Sequence, residues 1–345
     1  MRYKLFGRSG LRVSEFALGT MTFGLDWQWG ADKATSQQIF DTYAQAGGNF
    51  IDTANRYTEG TSEKFVGEFI HSDRDHFVLA TKYTLKMRDG DPNFAGNHRK
   101  NMTASVEASL KRLNTDYIDL FWLHAWDFTT PVDEVLRGLD DLVRQGKIHY
   151  IGISDTPAWV VSRANTMAEL RGWSRFIGLQ IRYSLIDRAA ERDLLPMAKA
   201  LDIAVTPWSI LGAGVLTGKY NQGQENVEGR AAEWGLTTRD LTIATAVTAI
   251  AQEIGCSPSQ VAIAWVLAQQ SPHHAPIIPL IGARKLSQLT DNLGALNVTL
   301  TPDHLGRLNT VSQIDLGFPH QFLTDEPILD IVYGGTYHQL DNHRQ

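Results

Sequence analysis

Cysteine is almost missing from this chain. Cys256 stands alone, which excludes an internal disulfide and any cluster of thiolate metal ligands. A single, buried-looking thiol suits a reducing compartment, and a cytoplasmic location is expected. Basic excess is missing too: 32 Lys and Arg against 38 Asp and Glu leave a formal net charge of -6. That balance argues against nucleic acid or an anionic membrane as a partner. No apolar run reaches the roughly 18 residues of a membrane span. The opening Met1-Arg2-Tyr3-Lys4-Leu5-Phe6 has no apolar core of a secretory signal. No His-Glu-x-x-His occurs, and paired histidine and carboxylate ligands are not evident, so a metal-dependent barrel hydrolase is disfavoured and no metal is expected. No Gly-x-Gly-x-x-Gly follows the first apolar run. The nearest string, from Gly212 through Gly214 to Gly218, has the wrong spacing and comes late, so a Rossmann domain is not expected. Neither a repeat of roughly 20–50 residues nor a low-complexity linker is found.

What is present is an ordinary globular composition, 43% hydrophobic and 20% charged, enough to bury a large core. Length alone leaves two ordinary domains or one large barrel open. Short apolar runs decide between them. They fall at Phe16–Leu18, Asn49–Asp52, Phe77–Lys82, Ile118–His124, Tyr150–Ser154, Gly178–Gln180 (the weakest), Ile203–Trp208 and Ile277–Ile281. Runs of this length suit parallel strands buried on both faces. Amphipathic helices stand between them. Thr130 is read as an N-cap with Pro131 at the first helical position; Val132, Val135, Leu136, Leu139, Leu142 and Val143 follow as one stripe, and Gly146 closes it. Thr156-Pro157 and Ser257-Pro258 open two more helices in the same way, and Ser36 to Ala46 ends at Gly47-Gly48. Eight strands alternating with helices predict an α/β fold, a (β/α)8 TIM barrel forming a single domain over residues 1–345. Residues 3–15 read as a hairpin closing the barrel floor. Leu85 to His98 and Asn221 to Trp234 read as inserted loops, and Pro302 to Gln345 as a C-terminal extension.

In such barrels chemistry sits where strands end. Asp52 ends the second run, with Tyr57 five residues on. Lys82 ends the third and His124 the fourth. Each alone has a bland reading: a satisfied structural histidine, a solvated lysine, a rim tyrosine. Converging, they permit a specific reaction. A lysine ammonium is expected to lower the pKa of a neighbouring phenol, and an aspartate would hold that lysine charged. A neutral histidine would position a carbonyl oxygen, and the phenol would protonate it.

These residues lie in strings that resemble the aldo-keto reductase superfamily. Asn49 through Tyr57, followed by Gly60, Glu63 and Gly67, looks like that family's second-strand signature. Leu79-Ala80-Thr81-Lys82 and Asp119 through His124 are similar to the strings carrying its lysine and histidine. Leu5 through Ser14, with Leu18-Gly19-Thr20-Met21, resembles its N-terminal hairpin and first strand. The likeness covers about residues 1–300 and is greatest to the branch holding potassium-channel β subunits and many bacterial reductases. It implies that Asp52, Tyr57, Lys82 and His124 are catalytic, and that NADP(H) binds without a Rossmann domain. By carry-over, Gly19, Thr20, Met21 and Asp52 would flank the cofactor. Ser154, Asp155 and Gln180 would meet the nicotinamide amide, and Trp208 would stack on its ring. Ser209, Leu211, Gly214, Leu216 and Lys219 match the loop along the pyrophosphate; Gly282, Arg284, Gln288 and Asn292 match the adenosine end. Arg284 would pair with a 2′-phosphate. Three positions depart from the pattern: Asp155 replaces a usual Asn, Arg182 replaces an uncharged or acidic residue, and Gly282 replaces a lysine found in one branch.

The resemblance implies an NADP-dependent oxidoreductase acting on a small carbonyl or sugar. A nicotinamide-binding regulatory subunit with little turnover is the alternative. Trp27, Trp29, Trp126, Phe128 and the segment after Pro302 are candidate pocket residues.

Overall fold

A computed structural model describes residues 1–220, 235–270 and 275–342. Strands β1 (Tyr3–Leu5) and β2 (Arg12–Ser14) pair antiparallel as the expected hairpin. Eight further strands form one parallel sheet: β3 (Ala17–Gly19), β4 (Phe50–Asp52), β5 (Val78–Tyr83), β6 (Ile118–Leu123), β7 (Ile148–Ser154), β8 (Phe176–Arg182), β9 (Ala204–Trp208) and β10 (Leu280–Gly282). Their order, β10-β3-β4-β5-β6-β7-β8-β9, is sequential with β10 brought round beside β3. The ring closes where Val205 of β9 bridges Ile277, Val205 N–H donating to Pro276 O at 2.7 Å and Ile278 N–H to Val205 O at 2.8 Å. The fold is therefore the expected (β/α)8 barrel, with helices around it and a C-terminal extension of helices at Pro302–Ser312, His320–Thr324 and Glu326–Val332.

Several boundaries differ from the sequence reading. The eighth run splits, because Pro276 and Pro279 lack donors: Ile277 makes an isolated bridge and the strand proper starts at Leu280. The sixth, read as the weakest, is seven residues long. Thr130 is not an N-cap. The helix runs Val132–Arg144 with Pro131 itself at the cap, and the Thr130 hydroxyl donates instead to Asp127 at 2.7 Å. Thr156 is likewise displaced: Pro157 caps Ala158–Arg171, and the Thr156 hydroxyl donates to Ser154 O at 2.8 Å. Ser257 does cap its helix, accepting from Gln260 N–H at 3.1 Å. Cys256 is half-buried, not buried. Leu85 to His98 is a loop, whereas Asn221 to Trp234 lies outside the described residues.

The barrel lumen has two levels, because side chains two positions apart on a strand share a face. The lower level is apolar. Phe6 rises from the hairpin to meet Phe50 edge-on at 5.4 Å and Trp122 at 6.3 Å. Glycines make room for them: a Cβ on Gly152 would lie 2.3 Å from the Trp122 ring, and one on Gly178 would lie 2.6 Å from Phe6. Two positions further along the same strands, the upper level is polar: Asp52 above Phe50, Lys82 above Ala80, His124 above Trp122, and Gln180 above Gly178.

Candidate active site

At the C-terminal rim the four residues expected from strand ends come together. Asp52 and Lys82 are fully buried and form an ion pair between Oδ1 and Nζ. Lys82 Nζ also donates to Thr53 O at 2.8 Å, which fixes its direction. Gln180 Nε2 donates to Asp52 Oδ2 at 3.0 Å from across the lumen. The Lys82 ammonium lies 4.8 Å from the centre of the Tyr57 ring, and that ring meets His124 edge-on at 5.9 Å. Tyr57 and His124 are half-buried, so phenol and imidazole sit at the opening while the ion pair sits beneath.

The electrostatics follow from burial first. Burial pushes the Asp52 carboxyl up, and the charge of Lys82 and the Gln180 hydrogen bond only partly offset it. For Lys82, burial works downward, but Asp52 and Tyr57 together outweigh it and hold the ammonium above its ordinary pKa. The Tyr57 phenol is pushed up, against expectation. Lys82 does pull it down, yet desolvation is larger and Asp52 adds to it. His124 lies well below its ordinary value, through desolvation and then the Lys82 charge. The site thus holds, at neutral pH, a neutral phenol, a charged lysine and a neutral imidazole. The Nδ1 of that imidazole is buried with no partner among the described residues, which leaves Nε2 to meet a ligand.

Beside this cluster lie the residues expected to hold a nicotinamide nucleotide. Ser154 and Gln180 pair in register at the ends of β7 and β8. Trp208, half-buried, ends β9, and its indole N–H donates to Asp155 Oδ1 at 3.2 Å. The Asp155 carboxylate thereby fixes the angle of the tryptophan ring. Arg182 has its guanidinium 5.9 Å from the centre of that ring and pairs with Asp187 at 2.5 Å. Thr20 is committed inward, its amide and hydroxyl donating to Asp52 O at 2.9 and 3.0 Å. Gly19 and Gly282 face each other where β3 meets β10, and Met21 is half-buried beside them.

Past Trp208 the chain turns through Ser209 (φ 57°), Ala213 (φ 53°) and Gly214 (φ 97°). The Lys219 side chain lies over this turn, since a Cβ on Gly214 would be 3.2 Å from Lys219 Cε. Leu211 is half-buried at the turn, whereas Leu216 is buried, and its amide donates to Leu211 O. Arg284 is exposed on the loop after β10. Gln288 accepts from the Arg284 and Lys285 amides at 2.9 and 3.3 Å, and Asn292 donates to Gly282 O at 3.3 Å. Gln288 and Asn292 therefore shape the loop that presents Arg284. A cradle opened by Gly214, a lysine over it, an oriented indole and an exposed arginine fit a dinucleotide laid along the rim.

Sequence reading missed a backbone feature of this rim. Thr58, Thr84, Phe128, Asp155, Ser209 and Ala213 all have positive φ without being glycine. Such residues concentrate where function over-determines the chain, and nothing in side-chain pattern announces them.

The sequence profile described as the aldo/keto reductase family matches residues 15–313. The chain is 38% identical over 334 residues to norsolorinic acid reductase of Aspergillus flavus, covering 94% of this chain and 84% of that protein. It is 37% identical over 351 residues to aryl-alcohol dehydrogenase (NADP(+)) of Phanerodontia chrysosporium, covering 95% and 90%. To the aldo-keto reductase ausK of Aspergillus calidoustus it is 37% identical over 347 residues, covering 94% and 86%.

Proposed function

The chain belongs to the aldo/keto reductase family, nicotinamide-dependent oxidoreductases of carbonyl compounds, and from that premise we propose that it reduces an aldehyde or ketone with NADPH, or oxidises the corresponding alcohol with NADP, Tyr57 serving as general acid and base. The observation that carries the proposal is the buried Asp52–Lys82 pair directly under a half-buried phenol and imidazole. When bound, the nicotinamide supplies or accepts the hydride. The residues of the chain do the rest. His124 donates from Nε2 to the substrate oxygen and sets its position. Tyr57, kept protonated by its surroundings, gives its proton to that oxygen as charge develops there. Lys82, held charged by Asp52, then stabilises the phenolate left behind. Gln180 stops Asp52 from turning away. In alcohol oxidation the same proton returns to Tyr57.

Trp208, Ser154 and Gln180 would hold the nicotinamide end, with Gly19, Thr20, Met21 and Asp155 around them. The turn from Ser209 through Leu211, Gly214 and Leu216 to Lys219 would pass the pyrophosphate. Gly282, Arg284, Gln288 and Asn292 would hold the adenosine end, Arg284 favouring NADP(H) by pairing with a 2′-phosphate. Relatives named for norsolorinic acid and for aryl alcohols make aromatic carbonyls the first substrates to try. No described helix is long and apolar enough to cross a membrane; with one cysteine in the chain, a cytoplasmic enzyme is the reading we adopt. The test is steady-state NADPH oxidation with a panel of aryl and alkyl aldehydes, ketones and sugars. Turnover that disappears in Tyr57→Phe supports the proposal. Tight NADPH binding with no turnover of any carbonyl would favour the regulatory alternative.

A further inference from the structure

The turn after β4 sends three consecutive side chains to three destinations. Tyr57 enters the site. The Thr58 hydroxyl, buried, donates to Phe23 O at 2.6 Å and accepts from Ser62 N–H at 3.0 Å. Glu59 Oε1 accepts the indole N–H of Trp27 at 3.0 Å. Arg56 completes the arrangement: it pairs with Glu59, and its guanidinium lies 5.9 Å from the Trp27 ring. To reach these positions Thr58 and Glu59 both adopt left-handed backbone, φ 45° and 54°. Two successive non-glycine residues in that region are strained and persist only where surrounding contacts hold them. Here those contacts lead to one tryptophan.

The loop carrying Trp27 is cinched from its own side as well. Gly24 N–H donates to Ala31 O at 2.9 Å and Ala31 N–H to Thr22 O at 2.7 Å, while Gln28 turns the tip at φ 62°. A Cβ on Gly24 would lie 2.8 Å from the Thr58 hydroxyl, so the loop can lie this close only with glycine there. Trp27 is half-buried and stands edge-on to the Tyr57 ring at 6.5 Å and 79°, with the tilted Trp29 ring 5.7 Å away.

We propose that Trp27 is a specificity-determining residue of the site, selecting substrates whose carbonyl is bonded directly to a flat aromatic ring, and that Arg56, Thr58 and Glu59 are the positioning residues that aim it. The inference rests on the reading of Tyr57 as the acid. The ring of an aryl carbonyl begins one bond from the carbon that is reduced. A substrate whose oxygen meets Tyr57 therefore brings its ring among the aromatic groups around Tyr57. Aromatic pairs gain beyond area burial at centroid separations of about 4.5–7 Å, whereas an alkyl chain gains area alone. Because the indole is already fixed at its N–H and at its loop, little ordering remains to be done on binding.

The experiment compares kcat/KM for benzaldehyde-type and alkyl aldehydes of similar size in wild type, Trp27→Ala, Trp27→Phe, Glu59→Gln and Glu59→Leu. The expected result is an aryl-to-alkyl ratio lowered about two- to tenfold in Trp27→Ala, the fold-change that corresponds to an aromatic pair's gain beyond area burial. Trp27→Phe should restore most of the ratio. Glu59→Gln keeps an oxygen for the indole and should stay near wild type, while Glu59→Leu should follow Trp27→Ala in part, with KM rising more than kcat falls. NADPH affinity, read by fluorescence, should not follow the ratio. An equal loss on both classes, or an unchanged ratio in a folded Trp27→Ala, overturns the proposal. If wild type turns over neither class, the functional reading fails. Calorimetric titration of a benzylic alcohol against wild type and Trp27→Ala then decides the proposal separately, equal affinities overturning it.

Discussion

The two ends of the barrel lumen are built from the same strands, two residues apart, and obey opposite rules. At the floor Phe6, Phe50 and Trp122 interlock, and Gly152 and Gly178 are small because the rings need the space. At the rim the same strands carry Asp52, Lys82, His124 and Gln180, burying charge that folding alone would leave in water. Burying an ion pair seldom contributes net stability, and an apolar pair of the same volume often does better. The floor therefore reads as the part that holds the barrel shut, and the rim as the part that stability alone does not explain.

Mutations can separate the two ends. The largest effect is expected from Tyr57→Phe, which removes only a hydroxyl. Carbonyl reduction should fall by about 10²–10⁴, with thermal stability and NADPH binding nearly unchanged. The pH profile belongs to the same experiment. Because the phenol lies above its ordinary value of about 10, reduction in wild type should be flat through neutral pH and decline only in strongly alkaline solution as the proton to be donated is lost. Alcohol oxidation, which needs the phenolate, should rise over that same range. A reduction rate that halves near pH 7 would contradict the assignment.

Next come paired changes at the two levels. Phe6→Ala should destabilise by about 3–5 kcal/mol, seen as a lower denaturant midpoint, while kcat/KM of the folded fraction holds. Lys82→Met should be costly in both respects. It strands the Asp52 carboxylate without its cation, an effect of about 3–5 kcal/mol, and leaves the Tyr57 anion unsupported. Its rate loss should not add fully to that of Tyr57→Phe, since the two act as a unit. If Phe6→Ala slows chemistry as much as Lys82→Met does, the division between floor and rim is wrong.

A smaller effect is expected at the far end of the cleft. Arg284→Ala should weaken NADPH by roughly 1.5–3 kcal/mol, the range for a charge-assisted hydrogen bond, and leave NADH unaltered, as measured by fluorescence titration. Smallest of all, Asp155→Asn keeps an oxygen for the Trp208 indole and should change NADPH affinity by less than about 1.4 kcal/mol, a factor of ten. Asp155→Leu should cost more, because the ring loses its acceptor.

How much of this was legible in the sequence differs between the ends as well. Apolar runs located all the barrel strands, and the residues ending them, Asp52, Lys82 and His124, fell at the rim because strand direction fixes which end is which. Pairing across the lumen was not legible: Gln180 and Asp52 are 128 residues apart, and no local pattern links them. The direction of the Tyr57 shift was misread because the neighbouring charge is visible in sequence while the depth of desolvation is not. Thr130 and Thr156 carried the composition of N-caps, yet their hydroxyls were claimed by Asp127 and the Ser154 carbonyl. Left-handed residues such as Thr58 and Asp155 leave no trace in composition at all.

The Gln180–Asp52 hydrogen bond bears on when the rim is assembled during synthesis. Asp52 and Lys82 leave the ribosome in the first quarter of the chain, but Gln180 comes about a hundred residues after Lys82, and β10, which closes the ring against β3, comes about a hundred after that. Contacts of such sequence separation form late, since loop closure must be met before they reward it. A nascent or truncated chain therefore carries Lys82 and Tyr57 without the frame that aims them, and the rim is complete only with the final turn of the barrel.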